Sequence, residues 1–444
     1  MNSILVKNGN IIYPWGIVNG DILIIDGVVK CIGKSIEYNG VEKINAKGKI
    51  VLPGVVDIHV HMREPGLEYK DNFENGTRDA VQSGVTTVLD MPNTIPPVDS
   101  VERFRYKKSV LSNKAYCDFG LYGVIVDDNI EELEKLIDEG VIGFKVFLGP
   151  TTGDIKPPSL ETLVKALSIT SKHRVIVAFH AEEWSLVEYF TKETLKMNRS
   201  DPLVHLESRP PICEEIAIHK IGLIAKYVNA PVHIVHLSSY ESVKSIQYFK
   251  EIGVDITCET NPHYLLLDIG DYEKYGSLIK VNPPIRGGLH RESLWRAIRN
   301  GVIDIIASDH APHSVDEKTR DIWSASSGFP GVYTLLPLML NSAFNNQIDL
   351  TMIPKLLSQN PAKRFRLYPR KGCLIPGCDG DIVIVDPGRE WIIDKEKMYC
   401  KNKLTPFDKW RVRGYIEYTI LRGTIVYNNG ELIEKPIGKF LKPV

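Results

Sequence analysis

The feature that most constrains this chain is the alternation of short apolar runs with helical segments between about residues 54 and 370. Eight runs rich in β-branched residues recur there, and the sequence between them has helical character, for example at 131–139, 159–171, 214–228 and 290–300. Continuous apolar strands separated by helices are typical of a parallel sheet that is buried on both faces. We therefore predict an α/β fold with a (β/α)8 TIM barrel over residues 54–370. An open doubly wound sheet is the competing topology, because the count of strands does not distinguish the two.

Both ends of the chain carry a different pattern. Residues 3–53 alternate apolar and polar positions, with Asn-Gly and Asp-Gly turn signals, and a similar alternation returns after Gly372. This pattern predicts antiparallel strands joined by tight turns. We expect residues 1–53 and 371–444 to form the two parts of one small β-sandwich domain beside the barrel.

The composition is that of an ordinary globular protein and favours small-molecule chemistry. Among 444 residues, 54 Lys and Arg balance 55 Asp and Glu, so the formal net charge is -1. A near-neutral chain lacks the basic field that binds nucleic acid or anionic membranes. Because no apolar run has the length of a membrane span and the first residues lack a signal-peptide pattern, we expect a cytoplasmic protein without nucleic-acid or membrane partners. The 7 cysteines contain no CxxC pair, which favours reduced, mostly buried thiols over a disulfide framework.

Polar side chains that can bind a ligand recur where the apolar runs stop. The carboxyl ends of parallel barrel strands are where active sites form. Histidines placed at random would rarely cluster at such ends. The set comprises Asp57, His59 and His61 at the first run, Lys145 in the fourth, His180 at the fifth, His236 at the sixth, and Asp309 with His310 at the eighth.

Five of these residues form a candidate metal site. His59 and His61 lie two positions apart on a strand, so their side chains point to the same face and both imidazoles can reach one cation. His180, His236 and Asp309 add two further nitrogens and a carboxylate from other strands. Imidazole and carboxylate ligands together suit zinc or a similar divalent ion.

Lys145 does not fit a metal site as an ammonium group, because cations would repel it. A buried lysine loses its proton readily, and its neutral amine can take up carbon dioxide to form a carbamate. The carbamate is an anionic ligand with two oxygens that can bridge two metal ions. A lysine held in a salt bridge is the alternative, and the residue pattern leaves both open.

A series of motifs resembles the dihydroorotase family, cyclic amidohydrolases of the amidohydrolase superfamily. The resemblance covers nearly the whole chain and extends into the C-terminal strands. The motifs are HVHMREPG at 59–66, MPNT at 91–94, GFKVFLG at 143–149, FHAEE at 179–183, VHLSS at 235–239, VNPPIR at 281–286 and ASDHAPH at 307–313.

In that family, two divalent metal ions share the site. The resemblance implies that His59, His61 and Asp309 bind the first ion, and that His180 and His236 bind the second. Zinc is the ion that this set of nitrogen and carboxylate ligands favours. A binuclear zinc centre is therefore the expected cofactor.

The resemblance also gives roles to Lys145 and Asp309. The matching lysine is carboxylated in many members and bridges the two ions, although some dihydroorotases use an aspartate instead. An N6-carboxylysine is therefore implied at Lys145. Asp309 is the expected catalytic residue, which accepts a proton from the attacking water and returns it to the leaving nitrogen.

Arg63 indicates which cyclic amide is the substrate. It follows His61 by two positions, on the loop above the metal ligands, where a guanidinium offers a fork matched to a carboxylate. Dihydroorotate carries such a carboxylate, whereas hydantoins, dihydropyrimidines and allantoin have no equivalent one. Asn93 and His313 match further family contacts to the carboxylate, and Asn282 matches a substrate-loop position. Together with the resemblance, they predict reversible hydrolysis of (S)-dihydroorotate to N-carbamoyl-L-aspartate in de novo pyrimidine (UMP) biosynthesis.

Other features favour neighbouring members of the superfamily. The insertion at 181–230 is more similar to hydantoinases and allantoinases, and Tyr333 stands where many dihydroorotases have glutamate. Lys145 is shared with both of those branches. Allantoinase or dihydropyrimidinase (hydantoinase) activity is therefore the alternative. A non-catalytic homologue that acts as a scaffold is the alternative of another class, but such proteins typically lose metal ligands that this chain retains.

The sequence also raises expectations about partners and about one loop. The resemblance implies a homodimer and an association with aspartate transcarbamoylase. The loop at 149–158 combines Gly, Thr and Pro, so it is a candidate lid over substrate, with Thr151 and Thr152 as hydrogen-bond donors. An ordinary surface loop is an equally good interpretation. His263 matches a family position, and we interpret it as a structural histidine.

Overall fold

The computed structural model describes residues 3–153 and 155–444, and every strand named in these residues belongs to one or the other of two sheets. The N-terminal segment contributes five strands to the first sheet: β1 (Ile4–Tyr13), β2 (Gly16–Ile25), β3 (Val28–Gly33), β4 (Glu42–Asn45) and β5 (Ile50–Pro53). Asp26 and Gly27 join β2 to β3 with φ values of 52° and 80°. Positive φ at both positions is what a tight type I′ hairpin requires, so this Asp-Gly turn is confirmed.

The second sheet consists of eight parallel strands that neighbour one another in sequence order. They are β6 (Val55–Val60), β7 (Val85–Asp90), β8 (Asp118–Val124), β9 (Gly143–Phe147), β10 (Val177–His180), β11 (Val232–Ile234), β12 (Ile256–Thr260) and β13 (Ile305–Ile306). Each overlaps one of the apolar runs, which confirms that part of the prediction. The sequential order differs from the doubly wound alternative, whose strand order reverses. Val60 and His310 form a parallel bridge, so the two ends of the sheet approach each other.

Helices connect successive parallel strands, and four further helices follow β13. They are α1 (Phe73–Gln82), α2 (Val101–Leu111), α3 (Leu133–Glu139), α4 (Leu160–Lys172), α5 (Trp184–Leu195), α6 (Val204–Glu207), α7 (Pro211–Val228), α8 (Tyr240–Glu251), α9 (Pro262–Leu266), α10 (Asp271–Tyr275), α11 (Gly288–Arg299), α12 (Val315–Lys318), α13 (Leu335–Phe344), α14 (Met352–Pro354) and α15 (Asn360–Arg364). In α4, the Ser159 hydroxyl accepts the Thr162 N–H at the first turn, and Leu163, Ala166 and Leu167 are buried on one face. Within residues 3–153 and 155–444, no helix has both the length and the apolar character needed to cross a bilayer.

The C-terminal segment completes the first sheet. It contributes β14 (Ile382–Ile392), β15 (Arg411–Leu421), β16 (Thr424–Asn428) and β17 (Glu431–Leu432). Strand β5 pairs with β14, so the two ends of the chain meet as predicted. Hydrogen bonds connect all nine strands into one sheet, however, whereas a sandwich implies two separately bonded sheets. The reason is that β1 pairs with β2, β4 and β5 and so links every part of the N-terminal segment.

Two cysteines correct the prediction of reduced thiols. Cys373 and Cys378 form a disulfide, because the turn between them brings their Cα atoms to 6.3 Å. The prediction rested on the absence of CxxC spacing, and this pair has a sequence separation of 5. The other cysteines of the described chain are free, and all except Cys31 are buried, as predicted.

Candidate active site

The candidate metal ligands and substrate contacts all line one cavity of about 320 Å³ at the carboxyl end of the parallel sheet. Strands β6, β9 and β10 carry three of the side chains, and the loops that follow the strands carry the others. The set consists of His59, His61, Arg63, Asn93, Lys145, His180, His236, Asn282, Asp309 and His313. A cavity of this size suits a small ring compound.

His59, His61 and Asp309 converge closely enough to hold one cation. The Nε2 atoms of His59 and His61 lie 3.2 and 3.5 Å from Asp309 Oδ1. One donor atom from each of the three residues lies within 4.8 Å of the other two. Two imidazole nitrogens and a carboxylate oxygen at this spacing match the preferences of zinc and related divalent ions.

A second group of candidate ligands borders the first. The rings of His180 and His236 have centroids 4.6 Å apart, and the His236 ring lies 5.5 Å from that of His59. Lys145 Nζ and His236 Nδ1 are buried, and neither has a hydrogen-bond partner in the described part of the chain. Buried polar atoms are normally satisfied, so orphaned atoms beside a cavity indicate that a ligand completes the site.

Burial keeps His59 and His236 neutral. It holds the pKa of His59 well below its usual value, and the charge of Lys145 adds to the effect. Burial holds the pKa of His236 well below its usual value in the same way. It also lowers the pKa of Lys145 to about 8. Neutral imidazoles offer the free lone pairs that a metal ion needs.

Three residues of the candidate site have unusual backbone conformations. Arg63, His236 and Asp309 have φ values of 66°, 43° and 47°, in a region that residues other than glycine rarely adopt. Such outliers cluster at functional sites. Gly66 has a φ of 88°, and a Cβ there would lie 2.2 Å from the Ile95 carbonyl oxygen. The Arg63 loop therefore packs directly on the adjoining loop, an approach that only glycine permits.

Arg63 is a buried cation, and no residue that the structure describes supplies a counter-ion. It is 3% exposed, and its Nε donates to the Pro312 carbonyl oxygen at 2.9 Å. Among the residues that the structure describes, no carboxylate lies within salt-bridge distance of its guanidinium. Burial lowers the pKa of Arg63 to about 10, which leaves the group charged at neutral pH. A charged guanidinium beside a cavity favours an anionic ligand.

His313 and Lys70 extend this positive region but do not neutralise it. His313 Nδ1 lies 3.0 Å from Lys70 Nζ, and Nε2 lies 3.0 Å from the Ser327 carbonyl oxygen. Because an ammonium donates and a carbonyl accepts, the hydrogen of the neutral His313 ring is on Nε2. Because His313 Nε2 carries this hydrogen, it does not accept a hydrogen bond from Arg63 Nη2, which lies 3.2 Å away. Glu317 balances Lys70 at 3.0 Å, so Arg63 keeps the uncompensated charge.

Both predicted asparagines border the cavity and are partly engaged by protein. Asn93 Oδ1 accepts from His61 Nδ1 at 2.7 Å, which leaves His61 Nε2 as the nitrogen with the free lone pair. Asn93 Nδ2 lies 3.4 Å from Thr151 Oγ1. Asn282 Oδ1 accepts from the Ser327 hydroxyl at 3.1 Å. Asn93 therefore orients a candidate metal ligand in addition to facing the cavity.

The first part of the loop at 149–158, from residue 149 to residue 152, lines the same cavity. Thr151 and Thr152 are among the lining residues, which is the position that a lid requires. Asp154 of this loop lies outside the described residues. A closing motion stays a prediction.

Four residues weighed in the sequence are not among those that line this cavity: Asp57, His263, His310 and Tyr333. Tyr333 borders a separate cavity together with Trp391 and Tyr415. Its presence in place of glutamate therefore does not alter the lining of the candidate site. His263 is buried beside Phe329, with ring centroids 5.4 Å apart, in agreement with a structural histidine.

Glu182 is a contact that the sequence analysis missed. Its Oε2 lies 2.8 Å from His180 Nε2 and 2.6 Å from Arg209 Nη1. Burial alone would raise the pKa of Glu182, but Arg209 and His180 outweigh it and lower the pKa to about 2. The carboxylate accepts a hydrogen from His180 Nε2, so Nδ1 is the nitrogen left to bind a ligand. Its place two residues after His180, at a strand end, was the available signal.

Glu259 is a second missed contact. Its Oε1 lies 2.5 Å from His59 Nδ1 and its Oε2 lies 3.1 Å from His233 Nε2, with all three residues buried. A carboxylate accepts, so His59 carries its hydrogen on Nδ1. Glu259 stands near the end of the seventh apolar run, where the same strand-end reasoning could have found it. Nothing in the sequence separated His233 from a structural histidine.

Comparisons with known proteins show the family to which the chain belongs. Residues 50–426 match the amidohydrolase family. A dihydroorotase of Methanothermobacter thermautotrophicus is 36% identical over 396 residues, which cover 88% of each chain. An allantoinase of Deinococcus radiodurans is 35% identical over 445 residues, which cover 99% of each chain. The solved structure of an L-hydantoinase (dihydropyrimidinase) from Arthrobacter aurescens has a TM-score of 0.97 and 32% identity, with 100% of both chains covered.

The match to the family spans most of the chain, and it includes every strand of the parallel sheet. Relatives with three different named activities have similar identities to this chain. The reaction class is common to all three, because each name denotes an enzyme that opens a cyclic amide. The protein belongs to the amidohydrolase family and is a cyclic amidohydrolase.

Proposed function

We propose that this protein is a dihydroorotase, which hydrolyses (S)-dihydroorotate reversibly to N-carbamoyl-L-aspartate in pyrimidine synthesis. The observation that carries the proposal is Arg63, which borders the cavity, is 3% exposed and lacks a carboxylate partner among the described residues. An unpaired buried charge is unfavourable, and an anionic group on the substrate would compensate it. Dihydroorotate brings a ring carboxylate, whereas allantoin, hydantoins and dihydropyrimidines do not.

The residues around the cavity fit two divalent cations, for which we propose zinc. With hydrogens on Nδ1, His59 and His61 direct lone pairs at Asp309 Oδ1 over 3.2 and 3.5 Å. Acceptors at such distances repel one another unless a cation lies between them. His180 and His236 would hold the second ion. Bound there, the ions would supply Lewis acidity, which polarises an amide carbonyl and activates water.

We propose further that Lys145 carries a carbamate between the two ligand groups. Its Nζ is buried beside the cavity and has no hydrogen-bond partner in the described chain. The amine adds to dissolved carbon dioxide, so that one N–C bond forms and one proton is released. The modification changes a group that repels cations into an anion that binds them.

Asp309 is the proposed proton carrier. It accepts a proton from water as the water oxygen bonds to the ring carbonyl carbon, and it gives that proton to the ring nitrogen as the C–N bond breaks. Arg63, Asn93 and His313 would hold the substrate carboxylate, while Asn282 would border the rest of the ring. The same residues act in reverse when the open ureido acid closes.

Allantoinase or hydantoinase activity is the second candidate. Relatives with these names match as much of the chain, at similar identity, as the dihydroorotase does. A non-catalytic scaffold is the alternative of another class, and the complete ligand set argues against it. The homodimer, the association with aspartate transcarbamoylase, a closed (β/α)8 barrel and the boundaries at 53 and 370 stay proposals.

A substrate panel tests the proposed activity. Zinc-loaded protein is assayed in bicarbonate buffer with dihydroorotate, allantoin, hydantoin and dihydrouracil, and the ring-opened products are quantified. We expect kcat/KM for dihydroorotate to exceed the others by at least about 10²-fold, because a site built for a charged group rejects rings that lack it. Faster opening of a neutral ring would support the second candidate. A protein that binds no divalent ion and opens no ring would support the scaffold.

A further inference from the structure

We infer that Glu259 and His233 are positioning residues for the candidate metal ligand His59. The inference rests on the proposed metal site, because it concerns the orientation of one of its ligands. Neither residue is among those that line the cavity, so neither is expected to touch substrate. Their effect on the reaction would pass entirely through His59.

A chain of hydrogen bonds leads from the cavity into the interior of the parallel sheet. His59 Nδ1 lies 2.5 Å from Glu259 Oε1, and Glu259 Oε2 lies 3.1 Å from His233 Nε2. His233 Nδ1 lies 2.8 Å from Thr257 Oγ1, and the two residues pair directly in the register of β11 and β12. These hydrogen bonds therefore connect β6, the first strand of the parallel sheet, to β11 and β12, its sixth and seventh strands.

The chemistry of the groups sets the direction of each bond. The Glu259 carboxylate can only accept, so His59 has its hydrogen on Nδ1 and His233 has its hydrogen on Nε2. His233 Nδ1 is then an acceptor, and the Thr257 hydroxyl donates to it. His59 Nε2 keeps its lone pair, 3.2 Å from Asp309 Oδ1. Glu259 thus selects the tautomer and ring orientation with which His59 can bind a cation, and His233 holds Glu259 in place.

A purely structural role predicts a different outcome. If Glu259 and His233 only stabilised the interior of the sheet, their replacement would lower the free energy of unfolding. The folded fraction would still bind metal with unchanged affinity. Metal affinity and the geometry of the bound ion therefore separate the two roles.

Three variants dissect the chain of bonds. Glu259→Leu removes the acceptor for His59 at similar volume. Glu259→Gln keeps an oxygen acceptor for His59, because His233 can move its hydrogen to Nδ1 and receive the new amide N–H on Nε2. His233→Leu removes only the outer member. The expected loss of metal affinity is therefore largest in Glu259→Leu, smaller in His233→Leu and smallest in Glu259→Gln.

Asp79→Asn is the matched control. Asp79 is also a fully buried carboxylate, and it accepts hydrogen bonds from the Tyr399 and Cys400 backbone N–H groups at 2.8 and 3.0 Å. It lies on α1 and contacts no candidate metal ligand. The control therefore reports what loss of a buried carboxylate does by itself.

The experiment titrates the metal-free full-length chain with Co²⁺ against a chromophoric chelator and records the visible spectrum of the bound ion. We expect Glu259→Leu to weaken binding by about 10- to 100-fold and to alter the spectrum, which is the usual range for loss of a residue that orients a metal-bound histidine. His233→Leu should show a smaller loss in the same direction. Glu259→Gln and Asp79→Asn should stay close to the wild-type affinity and spectrum.

Wild-type affinity and spectrum in folded Glu259→Leu would overturn the inference. If circular dichroism shows that this variant does not fold, wild-type behaviour of His233→Leu would overturn it instead. This test can fail independently of the proposed dihydroorotase activity. If the wild-type protein binds Co²⁺ but opens allantoin rather than dihydroorotate, the dihydroorotase proposal is wrong and the role of Glu259 and His233 is unaffected. A wild-type chain that binds no Co²⁺ would remove both.

Discussion

Two of the fully buried lysines of this protein, Lys371 and Lys145, have opposite surroundings. Lys371 Nζ lies 2.5, 2.9 and 2.7 Å from carboxylate oxygens of Asp118, Asp379 and Asp381. Lys145 Nζ is equally buried, beside the cavity, and has no hydrogen-bond partner in the described part of the chain. The first lysine joins strand β8 to the C-terminal segment, whereas the second faces a site that a ligand must complete.

The two environments have opposite effects on the charge. Burial alone would lower the pKa of Lys371, but the surrounding carboxylates outweigh burial and raise it above its usual value. For Lys145, burial prevails and lowers the pKa to about 8. The aspartates around Lys371 also have the spacing of metal ligands, but Lys371 and Arg422 already engage them. A paired buried charge therefore serves the fold here, and an unpaired one marks the candidate site.

The largest expected effect follows replacement of Lys145. We expect Lys145→Met to lower kcat by at least about 10³-fold, because it removes the proposed bridge between the two ligand groups. The free energy of unfolding should not fall, since no partner loses an ion pair. Steady-state assays, metal analysis and urea unfolding measure the three quantities.

A second variant at this position supplies the control. Lys145→Ala leaves space for a small carboxylic acid, so added formate or acetate should restore part of the activity if an anion is what the site lacks. An unchanged kcat in Lys145→Met would contradict the proposed carbamate and remove the contrast between the two lysines.

The next largest effect is on stability. Lys371→Met leaves buried aspartates without their cation, so we expect the free energy of unfolding to fall by about 3–5 kcal/mol. The folded enzyme should keep its kcat, because the cluster is remote from the cavity lining. Urea unfolding of Lys145→Met and Lys371→Met under the same conditions makes the comparison direct. Equal losses in the free energy of unfolding in the two variants would show that ion pairing does not distinguish Lys145 from Lys371.

Arg63→Gln should lower kcat/KM for dihydroorotate by about 10²- to 10³-fold, within the range for loss of one partner of a buried charge pair. Metal content should stay the same, because the side chain is not a candidate ligand. Arg63→Lys keeps the charge but not the two-pronged geometry, so it should recover only part of the loss. A full loss of bound metal in Arg63→Gln would instead show that Arg63 is needed to keep the metal ligands in place.

The smallest expected effect concerns pH and the Lys371 cluster. Burial alone would raise the pKa of Asp118, but Lys371 and Arg422 outweigh it and hold the pKa below its usual value. A carboxyl with a lowered pKa contributes stability above its ordinary pKa of about 3.9, and that contribution is lost as the pH falls toward the folded value. The stability difference between wild type and Asp118→Asn should therefore be constant near neutrality and shrink below about pH 4. A stability difference that stays constant down to acid pH would contradict the lowered pKa of Asp118 in the folded protein.

The sequence predicted the parallel strands because their apolar runs and intervening helices follow from local periodicity. It predicted the candidate ligands because His59, His180 and Asp309 stand where those runs stop. It did not predict which buried lysine would be paired, since the Lys371 partner Asp118 lies 253 positions away. Partners brought together by tertiary structure leave no local signal.

The same limit explains the remaining differences. The position of Glu259 near a strand end could have marked it as a candidate, but its contacts with His59 and His233 form only when three separate strands pack together, so spacing along the chain could not reveal them. The nine-stranded terminal sheet depends on hydrogen-bond register between β5 and β14, which alternation of residue types does not specify. The disulfide depends on one turn geometry between Cys373 and Cys378.

The most direct test of the account compares two ligands that differ in one charge. Wild type and Arg63→Gln are each assayed with dihydroorotate and with the analogous ring in which a neutral carboxamide replaces the carboxylate. We expect wild type to prefer the carboxylate by at least about 10²-fold in kcat/KM, and we expect the preference to disappear in Arg63→Gln. Equal turnover of both rings by wild type, or a preference that survives the substitution, would contradict this expectation.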